Sequence, residues 1–159
     1  MGMVGSYVAL DNSQLKQVMD GEVDVLNLDP NEYSTVDIDK AWQAIHYLFC
    51  DGLDDGEPPM SYVVPMMESN MIGCDEGFVS FYITAEQVKE ASEYLNSLNE
   101  DAVKERYNFE AMQEDEVYPV FDEDEEDEFY EYLYYNLMKA KTFFKETAEQ
   151  GKAVVFYIC

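Results

Sequence analysis

A chain of 159 residues with 35 acidic side chains against nine lysines and arginines carries a formal net charge of -26 at pH 7. Such a field repels nucleic acid and anionic membrane surfaces, and it attracts cationic partners. We therefore expect no direct binding of nucleic acid or membrane, and we expect a basic protein as the favoured partner. Hydrophobic residues make up 47% of the chain and aromatic residues 14%, so the composition is that of a folded protein.

The length predicts a single domain over residues 1–159. The three cysteines, Cys50, Cys74 and Cys159, are widely spaced and include no CxxC pair, which argues against a zinc ribbon or a redox motif. A reduced, cytoplasmic protein is the simplest interpretation. The first residues lack the pattern of a secretory signal, and no apolar run approaches the length that spans a membrane.

The first half of the chain predicts one strand and two helices. An apolar run over residues 3–10 predicts the strand. Asp11 and Gln14 have the spacing of a capping box, which predicts a short helix that ends near Gly21. Apolar residues recur at helical spacing over residues 37–50 and predict an amphipathic helix with aspartates in its first turn.

The second half begins with a predicted loop insert over residues 51–75, which is rich in Gly, Pro and Met. A strand over residues 78–83 follows, and Thr84 with Gln87 forms a second capping box at the start of another helix. The remaining patterns predict three further elements: a short helix over residues 102–112, a long helix over residues 125–149 and a last strand over residues 153–158.

The order of these elements predicts an α+β fold. Three or four strands and four or five helices follow one another in mixed order. Because the strands are far apart in the sequence, they must pair through long connections. We therefore expect a single domain with a small mixed β-sheet, helices packed against it, and a long C-terminal helix before a last strand.

Four short segments form a distinctive set: residues 1–5 (MGMVG), 36–42 (VDIDKAW), 46–48 (HYL) and 84–88 (TAEQV). Together with an aromatic strand after Gly77, they resemble the YfbM-like family of small bacterial proteins, a domain of unknown function. The resemblance implies an α+β fold and a soluble protein, and it implies no established catalytic residues. Residues 51–71 and the acidic run 122–128 depart from the family pattern.

The predicted helix over residues 37–50 holds the first candidate site. Asp39, His46 and Cys50 fall along one edge of that helix. An enzymatic interpretation makes Cys50 a nucleophile, His46 its base and Asp39 the group that orients the base. Residues seven positions apart lie about 10 Å apart along a helix axis, which is a poor arrangement for catalysis. The structural interpretation is a half-buried histidine that bonds a neighbour.

The full candidate cleft adds the polar and aromatic residues at the start of the same helix, so that it contains Asp37, Asp39, Lys40, Trp42, His46 and Cys50. Four of them form either a structural polar node, with Asp37 as a cap and Lys40 paired with carboxylates, or the lining of a small-ligand cleft: Asp37, Asp39, Lys40 and Trp42. We expect the node. A small enzyme or ligand-binding domain with a cleft near Asp39, His46 and Cys50 remains the alternative function.

An acidic stretch supplies the second candidate site, because residues 107–138 contain no Lys or Arg. The run at residues 122–128 lacks the glycine that an EF-hand loop requires, so it predicts no calcium loop. It is either a solvated entry to the long helix or a surface for a basic partner.

Two tyrosines sharpen the second interpretation. Tyr130 and Tyr134 lie near one another on the long helix, outside its apolar stripe, and Met138 continues the same edge. Exposed tyrosine and methionine beside carboxylates are typical of protein interfaces; the alternative is a helix that is buried on two sides. The predicted interaction surface consists of Asp122, Asp124, Glu125, Glu128, Tyr130, Tyr134 and Met138.

These patterns together favour a non-catalytic, cytoplasmic interaction module that binds a basic protein partner. The chain contains no GxGxxG, GxxxxGK[ST], HExxH or GxSxG motif, and we predict no catalytic residues, no cofactor and no metal site. A homodimer through a self-complementary tyrosine and methionine patch is a third hypothesis.

Overall fold

The centre of the molecule is a five-stranded sheet. A computed structural model describes residues 2–121 and 123–159, apart from the side chain of Asp75. The strands are β1 (Gly5–Leu10), β2 (Thr35–Asp37), β3 (Met71–Asp75), β4 (Phe78–Ile83) and β5 (Ala153–Ile158). They lie in the order β2-β1-β5-β4-β3, and each neighbouring pair is antiparallel. The predicted α+β class is confirmed. The sheet is antiparallel and not mixed, because the last strand enters its middle and runs against both neighbours.

Helices connect the strands and cover the sheet. The α-helices are α1 (Asn12–Met19), α2 (Trp42–Cys50), α3 (Ala85–Ser97), α4 (Glu100–Arg106), α5 (Phe109–Glu114) and α6 (Glu126–Glu149). Short 3₁₀ segments occur at Val25–Asn27, Asp39–Ala41, Met60–Tyr62 and Glu68–Asn70. Both predicted capping boxes are confirmed: Asp11 accepts from the Gln14 N–H at the start of α1, and Thr84 accepts from the Gln87 N–H at the start of α3.

β5 divides the interior into two cores because its side chains alternate between the faces of the sheet. Val154 and Phe156 point into the larger core, which contains buried residues of α2, α3 and α6. Val155 points into a smaller core with α1 and the residues that follow it. Six residues of β5 pair with β1 and five pair with β4. The strand is therefore buried on both faces and bonded along both edges.

Aromatic packing anchors the larger core. The Tyr7 ring lies 4.8 Å from the ring of Phe156 and 5.4 Å from that of Phe144, centroid to centroid. Its hydroxyl donates to the backbone carbonyl of Val63, so the buried phenol has a partner and ties the loop after α2 to the sheet. Burial raises the pKa of Tyr7 far above its ordinary value, and the hydroxyl stays a donor.

The segment predicted as one helix over residues 37–50 folds in three parts, so that prediction is wrong at its start. Asp37 ends β2, a 3₁₀ turn follows, and α2 begins only at Trp42. Asp39 has a φ of 49°, in the left-handed region that an α-helix does not pass through. This bend separates Asp37 and Asp39 from the helix that carries His46 and Cys50.

Two other predictions need correction. The insert over residues 51–75 contains the strand β3, which was expected as loop; it is an outer strand of the sheet with an irregularity between Met71 and Gly73. The helix predicted over residues 102–112 is two helices, α4 and α5, because Asn108 caps a new start by accepting from the Ala111 N–H.

α6 is the longest element and confirms the predicted long helix. Its buried stripe includes Phe129, Leu133, Leu137 and Phe144, which face the larger core. No helix in the described part of the chain is both long enough and apolar enough to cross a membrane.

Candidate functional site

A cleft of about 350 Å³ opens between the first turns of α6, the loop before it and the 3₁₀ turn after β2. Four carboxylate residues, three aromatic residues, one proline and one lysine line it: Asp39, Asp124, Glu125, Glu128, Phe121, Phe129, Tyr132, Pro119 and Lys40. The cleft thus brings together residues of both candidate sites that the sequence placed apart.

A hydrogen-bonded node forms one wall of the cleft. The Tyr132 hydroxyl donates to Asp39 Oδ2 at 2.7 Å and accepts from the Lys40 backbone N–H at 3.0 Å. The Asp39 N–H in turn donates to Asp37 Oδ1 at 3.2 Å. The node therefore holds the left-handed turn at Asp39 and orients its carboxylate; it uses the Lys40 backbone N–H, whereas the sequence suggested an ion pair of the Lys40 side chain.

The Tyr132 phenol keeps its proton over the whole physiological range. Burial and the bond to the Asp39 carboxylate both raise the pKa of Tyr132, because each disfavours the phenolate. The hydroxyl consequently remains a hydrogen-bond donor to Asp39 at the cleft wall.

Aromatic rings form the rest of the wall. The Phe121 side chain is 63% exposed, whereas Phe129 is buried and lies 5.9 Å from the Tyr132 ring. Asp124 Oδ2 accepts from the Phe121 N–H at 2.7 Å, which fixes the loop that carries Phe121. The cleft therefore presents one uncovered apolar ring beside several carboxylates.

Trp42 lies outside the cleft and serves the packing of the chain's first residues. Its indole N–H donates to the Met3 carbonyl at 2.9 Å, and its ring lies 5.5 Å from the ring of Tyr118. The Tyr118 hydroxyl accepts from the Met3 N–H at 2.9 Å. The N–H and the carbonyl of Met3, just before β1, are thus each hydrogen-bonded to an aromatic side chain.

His46 is buried, and both of its ring nitrogens face backbone carbonyls of the loop after α2. Nε2 lies 2.7 Å from the Asp54 oxygen and Nδ1 lies 3.2 Å from the Val64 oxygen. Each ring nitrogen therefore has a carbonyl acceptor within hydrogen-bond distance. His46 therefore links α2 to the loop that follows it, and its ring is not directed at the cleft.

Cys50 lies beside His46 and is covered by the same loop. Its Sγ is 3.9 Å from His46 Nδ1. Burial raises the pKa of the Cys50 thiol from 9.0 to about 11, whereas a nucleophilic cysteine needs a lowered pKa. Gly56 packs directly on the sulfur, since an added Cβ there would collide with Cys50 Sγ. The thiol is half-buried, and it is protonated at neutral pH.

The structure therefore separates the predicted cleft residues. Asp39 and Lys40 line the cleft, Asp37 supports the turn beside it, and Trp42, His46 and Cys50 face other parts of the molecule. One cleft shared by Asp39, His46 and Cys50 does not form. The physical reason is the bend at Asp39, which removes the single helix edge on which that prediction depended.

The predicted interaction surface is also divided. Asp124, Glu125 and Glu128 lie at the cleft, while Asp122 lies outside the described residues. Tyr130, expected at the surface, is 8% exposed, and Tyr134 and Met138 are half-buried. The helix is buried on two sides, because the α4–α5 region covers this edge of α6: the Tyr107 ring lies 5.0 Å from that of Tyr130.

The exposed tyrosine of α6 is Tyr135, at 66%, which the sequence analysis did not select. It follows Tyr134 directly and therefore lies about 100° further round the helix, on the solvent side. Tyr132, Phe121 and Pro119 were missed as cleft residues. The sequence indicated Tyr132 only by its position just beside the Phe129–Leu133–Leu137 stripe. It indicated Phe121 only as an aromatic residue that precedes an acidic run.

In residues 2–121 and 123–159, no group of three or more His, Cys, Asp or Glu side chains is arranged to hold a metal ion. The three cysteines are free thiols.

Comparison with known proteins places the fold. A family model described as a domain of unknown function, DUF1877, matches residues 1–157. The chain is similar to a structure described as "The Crystal Structure of a Protein of Unknown Function YfbM from Escherichia coli", with 18% identity and a TM-score of 0.77 over 98% of this chain and 99% of that chain. At this identity the likeness shows a common fold. No curated protein matches the chain.

The resemblance to the YfbM-like family, inferred above from short segments, is thereby confirmed along nearly the whole length. The chain belongs to the DUF1877 family of domains of unknown function.

Proposed function

We propose that this domain is a non-catalytic, cytoplasmic module that binds a basic protein partner through the cleft at the start of α6. One observation carries the proposal: the cleft combines four carboxylate residues with an uncovered phenyl ring, and Lys40 is the one basic residue among its lining residues. Carboxylates attract an ammonium or guanidinium group, and an aromatic face adds a cation–π contact.

The size of the cleft supports a side chain as its occupant. A volume of about 350 Å³ lies at the lower end of the range for small-molecule pockets. It accommodates one long Lys or Arg side chain with its stem along Phe121 and its charged end near Glu125 and Glu128. The rest of such a partner would lie on the surrounding surface.

The charge of the whole chain supports the same partner class. A net charge of -26 speeds the approach of a basic protein and slows that of an acidic one. Association should therefore weaken as salt is added, since the Debye length falls from about 10 Å at 0.1 M to about 3 Å at 1 M.

The state of the other candidate residues supports a non-catalytic role. Both ring nitrogens of His46 face loop carbonyls, and the Cys50 thiol is half-buried and protonated. Neither side chain is activated in the way that nucleophilic catalysis requires.

A charge-neutralising pair of variants tests the proposal. Glu125→Gln with Glu128→Gln should weaken binding of a fluorescein-labelled hexa-arginine peptide about tenfold at low salt, because two favourable charge contacts are lost. The matched control is Glu146→Gln with Glu149→Gln. These residues are exposed and lie on the same helix about 30 Å away, and this variant should change the affinity about twofold or less. Fluorescence anisotropy measures both, and equal weakening by the two variants contradicts a specific cleft.

A further inference from the structure

The outer strand β3 has backbone groups directed away from the sheet. It is bonded to β4 on one side and ends the strand order on the other. Asp75 pairs with Phe78 across a two-residue turn, so this pair and the Gly73–Ser80 pair exchange hydrogen bonds. Cys74 lies between them, and its N–H and carbonyl therefore point outward. Such an edge is a template for another strand.

The sequence of β3 leaves this edge accessible. Natural outer strands are commonly protected by charged residues, by proline or by bulges; β3 (MIGCD) contains no lysine or proline, and its protective features are Asp75 at its end and a backbone irregularity near its start. Its irregularity lies between Met71 and Gly73, so the last three residues of the strand remain regular. Those residues offer a short, straight docking edge.

A groove of about 520 Å³ runs beside the same edge, between the β3–β4 hairpin and the 3₁₀ turn at Val25–Asn27. Leu26 on that turn is 50% exposed, and Phe78 lines the groove below it. An added Cβ at Gly73 would meet no heavy atom within 4 Å. The groove therefore has an apolar floor with room for a side chain from outside.

The charges at the groove are negative. Asp24 and Glu76 line it, together with no lysine or arginine. Asp24 Oδ1 accepts from the Leu26 N–H at 3.0 Å and Oδ2 from the Asn27 side-chain amide at 3.4 Å, which fixes the carboxylate beside Leu26. A segment that alternates apolar and basic residues matches this pattern along one strand.

We propose that β3 accepts an extended basic segment of a partner protein as a sixth strand, with an apolar side chain in the groove and a Lys or Arg next to Asp24. Main-chain hydrogen bonds to Cys74 supply the pairing, and the groove supplies the preference for sequence. This docking edge lies at the β3 end of the sheet and the acidic cleft lies near the β2 end, so each can fail without the other.

A second copy of the chain is a poor occupant of this edge. Pairing β3 with itself would bring two sets of Asp24 and Glu76 together between molecules that each carry a charge of -26. Like charges at such an interface oppose association. The complementary occupant is a foreign, positively charged strand.

The experiment uses the full chain and a fluorescein-labelled peptide of sequence KVKVKVK. Leu26→Lys should weaken its binding about fivefold or more, since it removes the apolar contact and adds a like charge. Met19→Lys is the matched control because Met19 is similarly exposed, at 45%, on α1; it makes the same charge change and should alter the affinity about twofold or less.

Two further measurements address the strand itself. Cys74→Pro removes the outward N–H and spares the ladder bonds to β4, so it should also weaken binding about fivefold. A peptide with its central valine replaced by proline should bind more weakly by a similar factor. The cleft variant Glu125→Gln with Glu128→Gln should retain its preference for KVKVKVK over the proline peptide, which separates this proposal from the one above.

Three results would overturn the docking edge: equal effects of Leu26→Lys and Met19→Lys, equal affinity for the two peptides, or a dimer in sedimentation that Cys74→Pro dissociates. The last result would assign the edge to a second copy. If Cys74→Pro does not fold, as judged by circular dichroism, the Leu26 and Met19 pair with the two peptides still decides the question.

Discussion

The segment from Asp39 to Cys50 serves two regions of opposite character. At its start, Asp39 and Lys40 border an open cleft that is lined mainly by carboxylates and aromatic rings. At its end, His46 and Cys50 face a loop that occupies the imidazole nitrogens and covers the sulfur. We call these two regions the acidic cleft and the loop closure.

The two regions differ in how far the chain encloses their polar groups. In the loop closure, both imidazole nitrogens face backbone carbonyls and the thiol is half-buried. In the acidic cleft, Asp39 and Asp124 also accept hydrogen bonds from the chain, but the cleft is open and includes an exposed ring. Residue type alone therefore does not show which polar side chains border an open surface, whereas their hydrogen-bond partners and burial do.

The largest expected effect tests the loop closure. Gly56 has a φ of +74°, and a Cβ there would collide with Cys50, so Gly56→Ala should lower the free energy of unfolding by about 2–4 kcal/mol. Gly21→Ala is the matched control, with a φ of +77° and open space around it, and should cost about 1 kcal/mol. Urea denaturation measures both.

A double variant isolates the collision. Cys50→Ala combined with Gly56→Ala should recover part of the loss, because the small side chain makes room while the backbone strain remains. Equal losses for Gly56→Ala and Gly21→Ala would show that the glycine is needed only for its backbone conformation.

The next effect tests the wall of the acidic cleft. Tyr132→Phe removes the hydroxyl that joins the Asp39 carboxylate to the Lys40 N–H, and it should cost about 1–2 kcal/mol of folding free energy. Tyr135→Phe changes an exposed ring on the same helix and should stay within about 0.5 kcal/mol. Thermal denaturation of both proteins makes the comparison, and similar stabilities would remove the node's structural role.

A smaller effect is a pH dependence of the loop closure. The Cys50 pKa is about 11 in the folded protein against 9.0 for an ordinary thiol, chiefly because of burial. The unfolded chain therefore loses this proton first as the pH rises, and the thiol's contribution is complete below about pH 9 and is lost towards about pH 11. Cys50→Ala should consequently lose less stability than the parent protein between about pH 8 and about pH 11. Parallel loss in the two proteins argues that the thiol is not buried as described.

The smallest effect concerns the ion pair at the edge of the acidic cleft. Lys139 Nζ lies 3.7 Å from Asp37 Oδ1, and both side chains are partly exposed. Lys139→Met should change the free energy of unfolding by about 0.5 kcal/mol or less. A larger loss, measured by urea denaturation at low salt and absent at high salt, would assign the pair a real share in holding the turn at Asp39.

Local patterns were sufficient for much of the fold. The capping boxes at Asp11 and Thr84, the stripe of α6 and the apolar run of β5 each depend on residues close in the chain, and each was predicted. The strand β3 was missed because its sequence contains Gly and Asp and because an outer strand with an irregularity needs little apolar alternation.

The site depended on distant contacts and could be predicted only in part. Asp39 and Tyr132 are 93 positions apart, and no periodic pattern links them. The left-handed turn at Asp39 has no signature, since aspartate adopts that conformation only where its surroundings hold it there. Tyr130 was predicted to be exposed, but residues of the α4–α5 region bury it. The sequence of α6 alone does not indicate that this region packs against it.

The single tryptophan of the chain gives this molecule a built-in optical reporter. Its ring is in contact with Tyr118, and the next residue, Pro119, borders the acidic cleft. If Tyr118 and Pro119 moved when a ligand bound in the cleft, the environment of the indole would change, and so would its fluorescence emission. Entry of a ligand therefore has a direct route to a fluorescence signal, with no dye attached to the protein.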